Sequence, residues 1–298
     1  MKKKILPVYD ISNFHYLGKE DDFYANDFRS HLNQHHNFIL APHKHNFYLS
    51  VLFTRGSGTH EIEFDRFDIK PGRIFMLGPG KVHTWQLSKD IDGYIFFHTR
   101  EFYDFNFTYD KVKNYPFFSS LRNSPLIALN RMEQKKLEPV FKEVVEEYRQ
   151  NELMKFQKIA SLVNLLYIAL ARKYLPLQIR EKQNLNYLAK VKKFEDLVDT
   201  NFKTVKSPKE YAKMMFISER HLNRLCKISL NKTITELITE RVILEAKRML
   251  VFSNESVSEI ISELGYTDSS YFFRLFKEKT TLTPLEFKNK FSSFQKIK

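Results

Sequence analysis

The chain has 298 residues, 43% of them hydrophobic, with a formal net charge of +13 and one cysteine. At about 150 residues per domain this length predicts two domains, and the apolar content, without any long polar tract, excludes extended disorder. The basic excess favours polyanionic partners, and the single cysteine, Cys226, excludes an internal disulfide.

Two signals of membrane targeting are missing from the sequence. The basic start, MKKKILPVYD, is not followed by the apolar run of a signal peptide. No stretch of 18 apolar residues is present to span a bilayer. We therefore expect a cytoplasmic protein that does not associate with a membrane.

The region from residue 38 to about 108 has the pattern of short strands. Along its first run, every second residue is apolar, which predicts a strand with one buried face: Phe47, Leu49, Val51 and Phe53. Turns containing Gly or Pro separate further short runs at 60–64, 73–77, 84–87 and 94–98. Many short strands with regular turns predict a small barrel or sandwich.

Two histidine motifs lie in this strand region, His43-Lys-His45 and Pro79-Gly-Lys-Val-His83. They resemble the two motifs of a cupin barrel, which in metal-binding cupins hold a divalent metal together with a Glu just after the first pair. Leu49 stands at the position we align with that Glu. Loss of an anionic oxygen ligand removes much of the pull on a cation, so we predict no metal and no cofactor.

Helical periodicity follows the strands. Apolar residues at steps of three and four predict helices at 133–150 and 152–175. The second helix is apolar nearly all round, more than one packing face requires. It is either enclosed against the barrel or also packs on a second subunit, and the sequence leaves both interpretations open. A linker at 176–183 and a helix at 185–201 come next, so we expect domains at 1–175 and 184–298.

A stretch in the second domain occurs twice. Residues 207–227, SPKEYAKMMFISERHLNRLCK, share their plan with residues 256–287 at an offset of 49 to 50 residues. Each copy has a helix-start signature, then a short apolar helix, a turn and a basic second helix. This plan predicts two helix-turn-helix motifs, at 207–228 and 256–279, joined by a helix from Ile234 to Phe252.

The helix-start signatures are specific. Ser207 with Glu210, and Ser256 with Glu259, each predict a capping box, in which the hydroxyl accepts from a first-turn N–H while the Glu reaches back. Pro208 suits the first helical position. The second helices are expected to open at Ser218 and at Asp268.

Residues 185–288 resemble the DNA-binding domain of the AraC/XylS family of bacterial transcription regulators. The resemblance rests on segments in both copies and in the connecting helix: Tyr211-Ala212, Leu222-Asn-Arg224, Arg241, Ala246, Met249-Leu250, Ile260-Ile261, Gly265-Tyr266, Ser270-Tyr271-Phe272, Arg274-Leu-Phe-Lys277 and Thr283-Pro284. Two positions depart from the family pattern. Cys226 replaces Phe in an apolar position, and Asn231 replaces a Gly but tolerates a left-handed backbone.

The resemblance implies where DNA is contacted. On the first recognition helix it places base contacts at Arg220, Asn223 and Arg224, residue types that pair with guanine and adenine edges. On the second helix the corresponding positions have shorter reach, so we expect weaker reading there: Ser269, Ser270, Phe273 and Arg274. Phosphate contacts are expected from Lys227 and Lys277.

The function implied is that of a sequence-specific regulator, not an enzyme. We expect an α+β protein with a cupin-like barrel, which dimerises through 133–175, binds double-stranded promoter DNA and, by family resemblance, activates transcription with RNA polymerase. A candidate effector pocket comprises His43, His45, His83 and Trp85, although aromatic side chains could fill the barrel instead. The alternatives are a metal-dependent cupin enzyme with a fused helical domain and a DNA-coating protein without sequence preference.

Overall fold

The computed structural model describes residues 6–14, 22–39, 41–107, 111–118, 124–174 and 182–291. Within these ranges the chain forms two compact units, one before residue 175 and the other after residue 181. The predicted linker at 176–183 lies outside the described residues, apart from its last two positions. No helix in the described ranges is both long and apolar enough to cross a bilayer.

The first unit contains short strands arranged in three sheets. The strands described are β1 (Val8–Tyr9), β2 (Phe23–Asp27), β3 (Lys44–His45), β4 (Tyr48–Arg55), β5 (Gly58–Ile62), β6 (Asp65–Ile69), β7 (Arg73–Leu77), β8 (His83–Leu87), β9 (Asp92–His98) and β10 (Leu126–Ala128). The largest sheet has the order β10–β7–β4–β9–β2, the second β6–β5–β8 and the third β1–β3.

The register of the two larger sheets places apolar and histidine side chains in rows. At the centre of the large sheet, Val51 of β4 is opposite Phe75 of β7 and Ile95 of β9. In the second sheet, His60 of β5 is opposite Trp85 of β8. Cross-strand neighbours of this kind lie close enough to pack.

The strands do not close into the predicted barrel. The mixed α+β class is confirmed, but within the described residues no continuous ring of strands is formed. Closure would require an edge of the large sheet to pair with the second sheet. Instead β10 pairs with β7 and β2 pairs with β9, so strands from the flanks of the sequence occupy those edges.

The central strand β4 is buried on both faces, not on the single face expected. Leu49, Val51 and Phe53 belong to an apolar cluster that includes Trp85. Leu52 points the other way, into a cluster completed by helices. The alternating pattern therefore identifies the strand correctly but says too little about its second face, which only the helices cover.

Four α-helices are described in the first unit: α1 (Phe28–Ile39), α2 (Arg100–Asn106), α3 (Arg131–Arg149) and α4 (Lys155–Tyr174). The two predicted helices, 133–150 and 152–175, are confirmed as α3 and α4. α3 opens with a capping box between Asn130 and Glu133. Phe141 of α3 and Tyr167 of α4 are fully buried against the large sheet.

α4 does not bury its whole circumference. Val163 and Leu166 are fully buried, whereas Leu165 is 62% exposed and Ile168 is half-buried. The helix thus has one face in the core and further apolar residues outside it. Packing on a second subunit stays a prediction.

The second unit is helical in its described residues, with α5 (Lys182–Asn201), α6 (Pro208–Met214), α7 (Glu219–Leu230), α8 (Ile234–Phe252), α9 (Val257–Glu263), α10 (Ser269–Thr280) and α11 (Pro284–Lys290). α8 has the bounds predicted from the sequence. It packs against α5 and α7 and also against α9, α10 and α11. One helix therefore serves the cores of both copies of the repeat.

Candidate nucleic-acid interface

The repeated stretch forms two helix-turn-helix motifs, α6–α7 and α9–α10. Their second helices open where the sequence predicts. The Ser218 hydroxyl accepts from the His221 N–H at 3.2 Å, and the Asp268 carboxylate accepts from the Tyr271 N–H at 3.0 Å. Each side chain satisfies a donor that the helix itself cannot, so both recognition helices have a defined start.

The predicted capping boxes differ between the copies. Ser256 and Glu259 form theirs, with the hydroxyl accepting from the Glu259 N–H and the carboxylate from the Ser256 N–H. The box predicted at Ser207 is wrong. There the Glu210 N–H donates to the Ser207 backbone carbonyl at 3.2 Å, and the Glu210 carboxylate instead accepts from Lys213. Pro208 does occupy the first turn, as expected.

The duplication extends further than the sequence comparison recognised. After each recognition helix a residue adopts a left-handed backbone, Asn231 at φ 53° and Thr281 at φ 64°. A capping box follows at the same offset, Thr233 with Glu236 and Thr283 with Glu286. The Thr-x-x-Glu spacing was the available signal. Each copy is therefore a three-helix unit.

The turns of the two motifs have the same backbone shape but different residues. Gly265 has φ 77°, and Phe216, at the equivalent position, has φ 57° with 91% of its surface exposed. Glycine adopts such a φ without strain, whereas a residue with a Cβ does so at a cost. The first copy thus tolerates a strained residue whose ring contributes little burial.

Replacing Phe216 with Gly should stabilise the chain by roughly 0.5–1 kcal/mol, because relief of the left-handed strain exceeds the added freedom of the unfolded chain. Equilibrium denaturation of the two proteins measures this difference. The Phe216→Ala variant, which keeps the Cβ, is the control and should show no such gain. A less stable Phe216→Gly protein would mean that the exposed ring has a packing role.

The first recognition helix, α7, has clearly separated faces. Leu222, Leu225 and Cys226 are fully buried, so Cys226 is a core residue, in keeping with its apolar position in the sequence. Arg220 and Arg224 are exposed. The guanidinium of Arg224 donates to His221 Nδ1 at 3.3 Å, which ties two polar side chains of the exposed face together.

Asn223 and Lys227 have partners within the protein. The Asn223 side-chain oxygen accepts from the Ile234 N–H at 3.2 Å, at the start of α8. A bidentate contact with adenine uses both atoms of the amide, so Asn223 would have to release this bond to make it. Lys227 lies 3.9 Å from Glu236 with both side chains about half exposed, a weak surface pair that phosphate can displace.

On the second recognition helix, α10, the predicted contact residues are all exposed: Ser269, Ser270, Phe273, Arg274 and Lys277. Phe272 and Phe276 turn inward and are buried. The helix thus presents a polar face of short side chains near its start and two cations further along.

The connection between α5 and α6 touches the second turn. A Cβ built on Gly265 would lie 2.0 Å from the Lys203 carbonyl oxygen, so the two backbones are in direct contact. The Lys206 ammonium lies over the ring of Tyr266, 5.1 Å from its centroid, and burial lowers the pKa of this lysine to about 8. Lys203 also pairs with Glu263. These contacts hold the second turn against the segment that leads into the first motif.

In the first unit, the residues of the candidate effector pocket do lie together. The ring centroids of His43 and His45 are 4.3 and 5.0 Å from that of His83, which is 5.2 Å from that of Trp85. His60, which the sequence analysis missed, lies among them with its Nε2 2.9 Å from His83 Nδ1. The available signal was its position two residues before the apolar Ile62, on the same face of β5.

Burial dominates the chemistry of these histidines. His43, His45, His60 and His83 are at most 5% exposed, and burial lowers the pKa of each, that of His45 to about 3. Burial disfavours the charged imidazolium, so the rings are neutral at pH 7.

Leu49, at the position aligned with the cupin glutamate ligand, is buried among apolar side chains. No group of three or more candidate ligands among the described residues is placed to hold a metal ion.

Both units of the chain are similar to known protein families. A family described as "Helix-turn-helix domain" matches residues 211–290, and one described as "AraC-like ligand binding domain" matches residues 27–98. The regulator YfiF of Bacillus subtilis is 25% identical over 91% of this chain and 85% of its own. The transcriptional activator RhaR of Enterobacter is 21% identical over 85% of this chain and 88% of its own.

One relative is similar over a shorter stretch, and one solved structure is similar along most of the chain. An HTH-type regulator from Pseudoalteromonas carrageenovora is 40% identical over 77 residues. The matched segment is 26% of this chain and 45% of that protein. Among solved structures, ToxT from Vibrio cholerae O395 is similar over 91% of this chain and 98% of its own, with 16% identity and a TM-score of 0.44.

Proposed function

We propose that this chain, which belongs to the AraC family of DNA-binding transcriptional regulators, reads its promoter site mainly through α7 and responds to a small molecule through its first unit. The observation that carries the proposal is the pair of capped recognition helices held by α8, each with one buried and one exposed polar face. Two such helices suit successive major-groove segments about one helical turn, ~34 Å, apart.

The two recognition helices have different tasks in this proposal. Arg220 and Arg224 are exposed, and Arg is the residue that grips guanine O6 and N7. Asn223 contacts a base only by giving up its bond to α8. Ser269, Ser270, Phe273 and Arg274 form a shorter-reaching surface that positions the protein more than it discriminates, with Lys227 and Lys277 on phosphates.

The Arg224→Ala variant tests this assignment. Loss of a bidentate base contact should cost roughly 1–3 kcal/mol on the specific site and relax the preference at one base position. Gel shifts of the wild-type and variant proteins on the promoter fragment of the chain's own gene, with base-substituted competitors, measure both effects.

Lys277→Ala is the matched control because it removes a phosphate contact, not a base contact. It should weaken binding to all sequences alike and reduce the salt dependence of binding by about one counterion. Unchanged affinity after Arg224→Ala would show that α7 is not the reading helix.

Three further parts of the proposal have specific support. The first unit matches a ligand-binding family, which supports an effector, and full-length relatives are named activators, which supports activation with RNA polymerase.

Leu165 and Ile168 leave apolar surface on α4, which supports a homodimer. Sedimentation of the wild-type chain and of Leu165→Glu measures the oligomeric state, and the variant should be monomeric.

A further inference from the structure

The side chain of Asn223 joins the first recognition helix to the start of α8. Its oxygen accepts from the Ile234 N–H at 3.2 Å. Ile234 is the first residue of α8 and is 2% exposed, so water cannot readily take the place of this oxygen. An N–H in the first turn of a helix has no acceptor within that helix, and a buried N–H left without one destabilises the fold. Asn223 therefore has a task in the protein before any DNA is bound.

The capping box of α8 leaves this task to Asn223. The Thr233 hydroxyl accepts from the Glu236 N–H at 3.2 Å, and the Glu236 carboxylate accepts from the Thr233 N–H at 2.6 Å. The Ile234 N–H lies between these two donors in the chain and is bonded to a different helix. The start of α8 is thus held partly by its own cap and partly by α7.

The second copy of the repeat has neither partner of this bond. Phe273 stands 50 residues after Asn223, and Pro284 stands 50 residues after Ile234, while the capping box is the same in both copies. Proline at the first helical position has no N–H, and a phenyl ring has no oxygen to accept one. The recognition helix therefore carries an amide acceptor in the copy whose next helix has a donor to satisfy, and none in the copy whose next helix begins with proline.

The bond of Asn223 to α8 changes what α7 can read. A bidentate pair with adenine needs both atoms of the amide, and here the oxygen is already bonded. Arg220 and Arg224 are exposed and four residues apart, so they lie on the same face of the helix. Arg pairs with guanine O6 and N7. The side chains that remain for base contacts on α7 thus favour guanine.

We infer that Asn223 is a positioning residue that keeps its bond to α8 when DNA is bound, so that α7 discriminates bases through Arg220 and Arg224 alone. The DNA segment that fits α7 is one in which guanine is selected and no adenine is read by Asn223. The inference rests on the proposed function, since it requires α7 to lie in the major groove. Through α8, which also packs against α9 and α10, Asn223 supports both motifs.

Selection of sites from randomised DNA by the full chain, followed by affinities for each single-base variant of the selected site, tests the inference. The wild type should select guanine under α7, and Arg224→Ala should lose about tenfold or more of the preference at one G·C pair. Asn223→Ala should lower the urea midpoint. Under conditions where circular dichroism shows it folded, it should bind every variant several-fold more weakly, with each base preference within about twofold of the wild type.

Ile234→Pro separates positioning from base contact, because it removes the N–H that Asn223 accepts and places proline where the second copy has Pro284. The extended backbone of Thr233, with φ −81° and ψ 162°, suits a residue before proline. In the Ile234→Pro background, Asn223→Ala should no longer lower the urea midpoint or the affinity for DNA.

Two results would overturn the inference. One is an adenine preference that disappears in Asn223→Ala both with and without Ile234→Pro, which would identify a base contact. The other is a wild-type urea midpoint and affinity in Asn223→Ala, which would show that the bond to α8 has no effect. If no sequence is selected at all, the proposed function fails, whereas the loss of stability in Asn223→Ala and its absence in the Ile234→Pro background are measured without DNA.

Discussion

Lowering the pH from 7 to 5 should strongly destabilise the first unit and leave the second unit folded. His31, His45, His60, His83 and His98 are buried in the first unit, and burial lowers the pKa of each. For His45 the pKa is about 3 and for His98 about 4. These rings are neutral in the native state throughout the mildly acidic range.

The direction of the effect follows from proton binding. An unfolded histidine takes up its proton near pH 6.5, whereas native His45 and His98 do so only near pH 3 and 4. Between these values the unfolded state binds more protons, so stability falls as the pH falls. At pH 5 each of the two costs about 2 kcal/mol relative to pH 7. Together they cost about 4 kcal/mol, a large part of the usual 5–15 kcal/mol of a folded protein.

The composition of the chain makes this experiment simple. Trp85 is the only tryptophan and is 3% exposed in the first unit, so its fluorescence reports on that unit alone. His221, on the surface of α7, is the only histidine after His98. Urea titrations at pH 7 and pH 5 should show an earlier fluorescence transition at pH 5, while the far-ultraviolet signal of the helical unit changes much less.

His98→Gln provides the matched control because it removes one titrating ring from the first unit. The variant should lose about 2 kcal/mol less than the wild type between pH 7 and pH 5. If the Trp85 fluorescence transition of the wild type had the same urea midpoint at both pH values, the burial of neutral histidines would be contradicted.

The second unit could be predicted closely from the sequence. Its helices are defined by local signals, such as Ser218, Asp268 and the Ser256–Glu259 box, whose atoms lie within a few residues of each other. The bounds of α8 follow from periodicity alone. The capping box predicted at Ser207 is wrong for an equally local reason. The Ser207 backbone carbonyl accepts from the Glu210 N–H that the Ser207 hydroxyl was expected to bind.

The first unit was less predictable because its structure depends on contacts between distant residues. Neither strand contains a sequence signal for the pairing of β10 with β7, which lies about fifty residues earlier in the chain. The same is true of the second covered face of β4. Likewise, His60 joins His83 only through the pairing of β5 with β8, so a motif search limited to His43, His45 and His83 misses it.

The proposed DNA contacts show the same division. The exposure of Arg220 and Arg224 follows from helical periodicity, because Leu222 and Leu225 are apolar and occupy the buried face of α7. The bond between Asn223 and the start of α8 cannot be predicted from helical periodicity, because it depends on how α8 approaches α7. Helical periodicity predicts which face is exposed, but not which exposed side chains already have a partner.

Gly265→Ala should disrupt the second helix-turn-helix motif and cost about 3 kcal/mol or more of stability. Two independent effects add. The backbone at φ 77° disfavours any Cβ, and the new atom would lie 2.0 Å from the Lys203 carbonyl oxygen, which belongs to the backbone and cannot rotate away. The turn must therefore move away from the connection between α5 and α6.

This movement matters for function because the contact at Gly265 holds the α9–α10 turn against the segment that leads into α6. A shift there displaces every DNA contact of α10 at once, so specific binding should fall further than in Arg224→Ala, which removes one contact. Phe216→Gly, at the equivalent turn of the first copy, should change stability in the opposite direction and leave DNA binding intact. Gel shifts and urea titrations of the two variants compare them directly. Wild-type DNA affinity in Gly265→Ala would show that the motifs bind independently, and that their fixed spacing has no part in recognition.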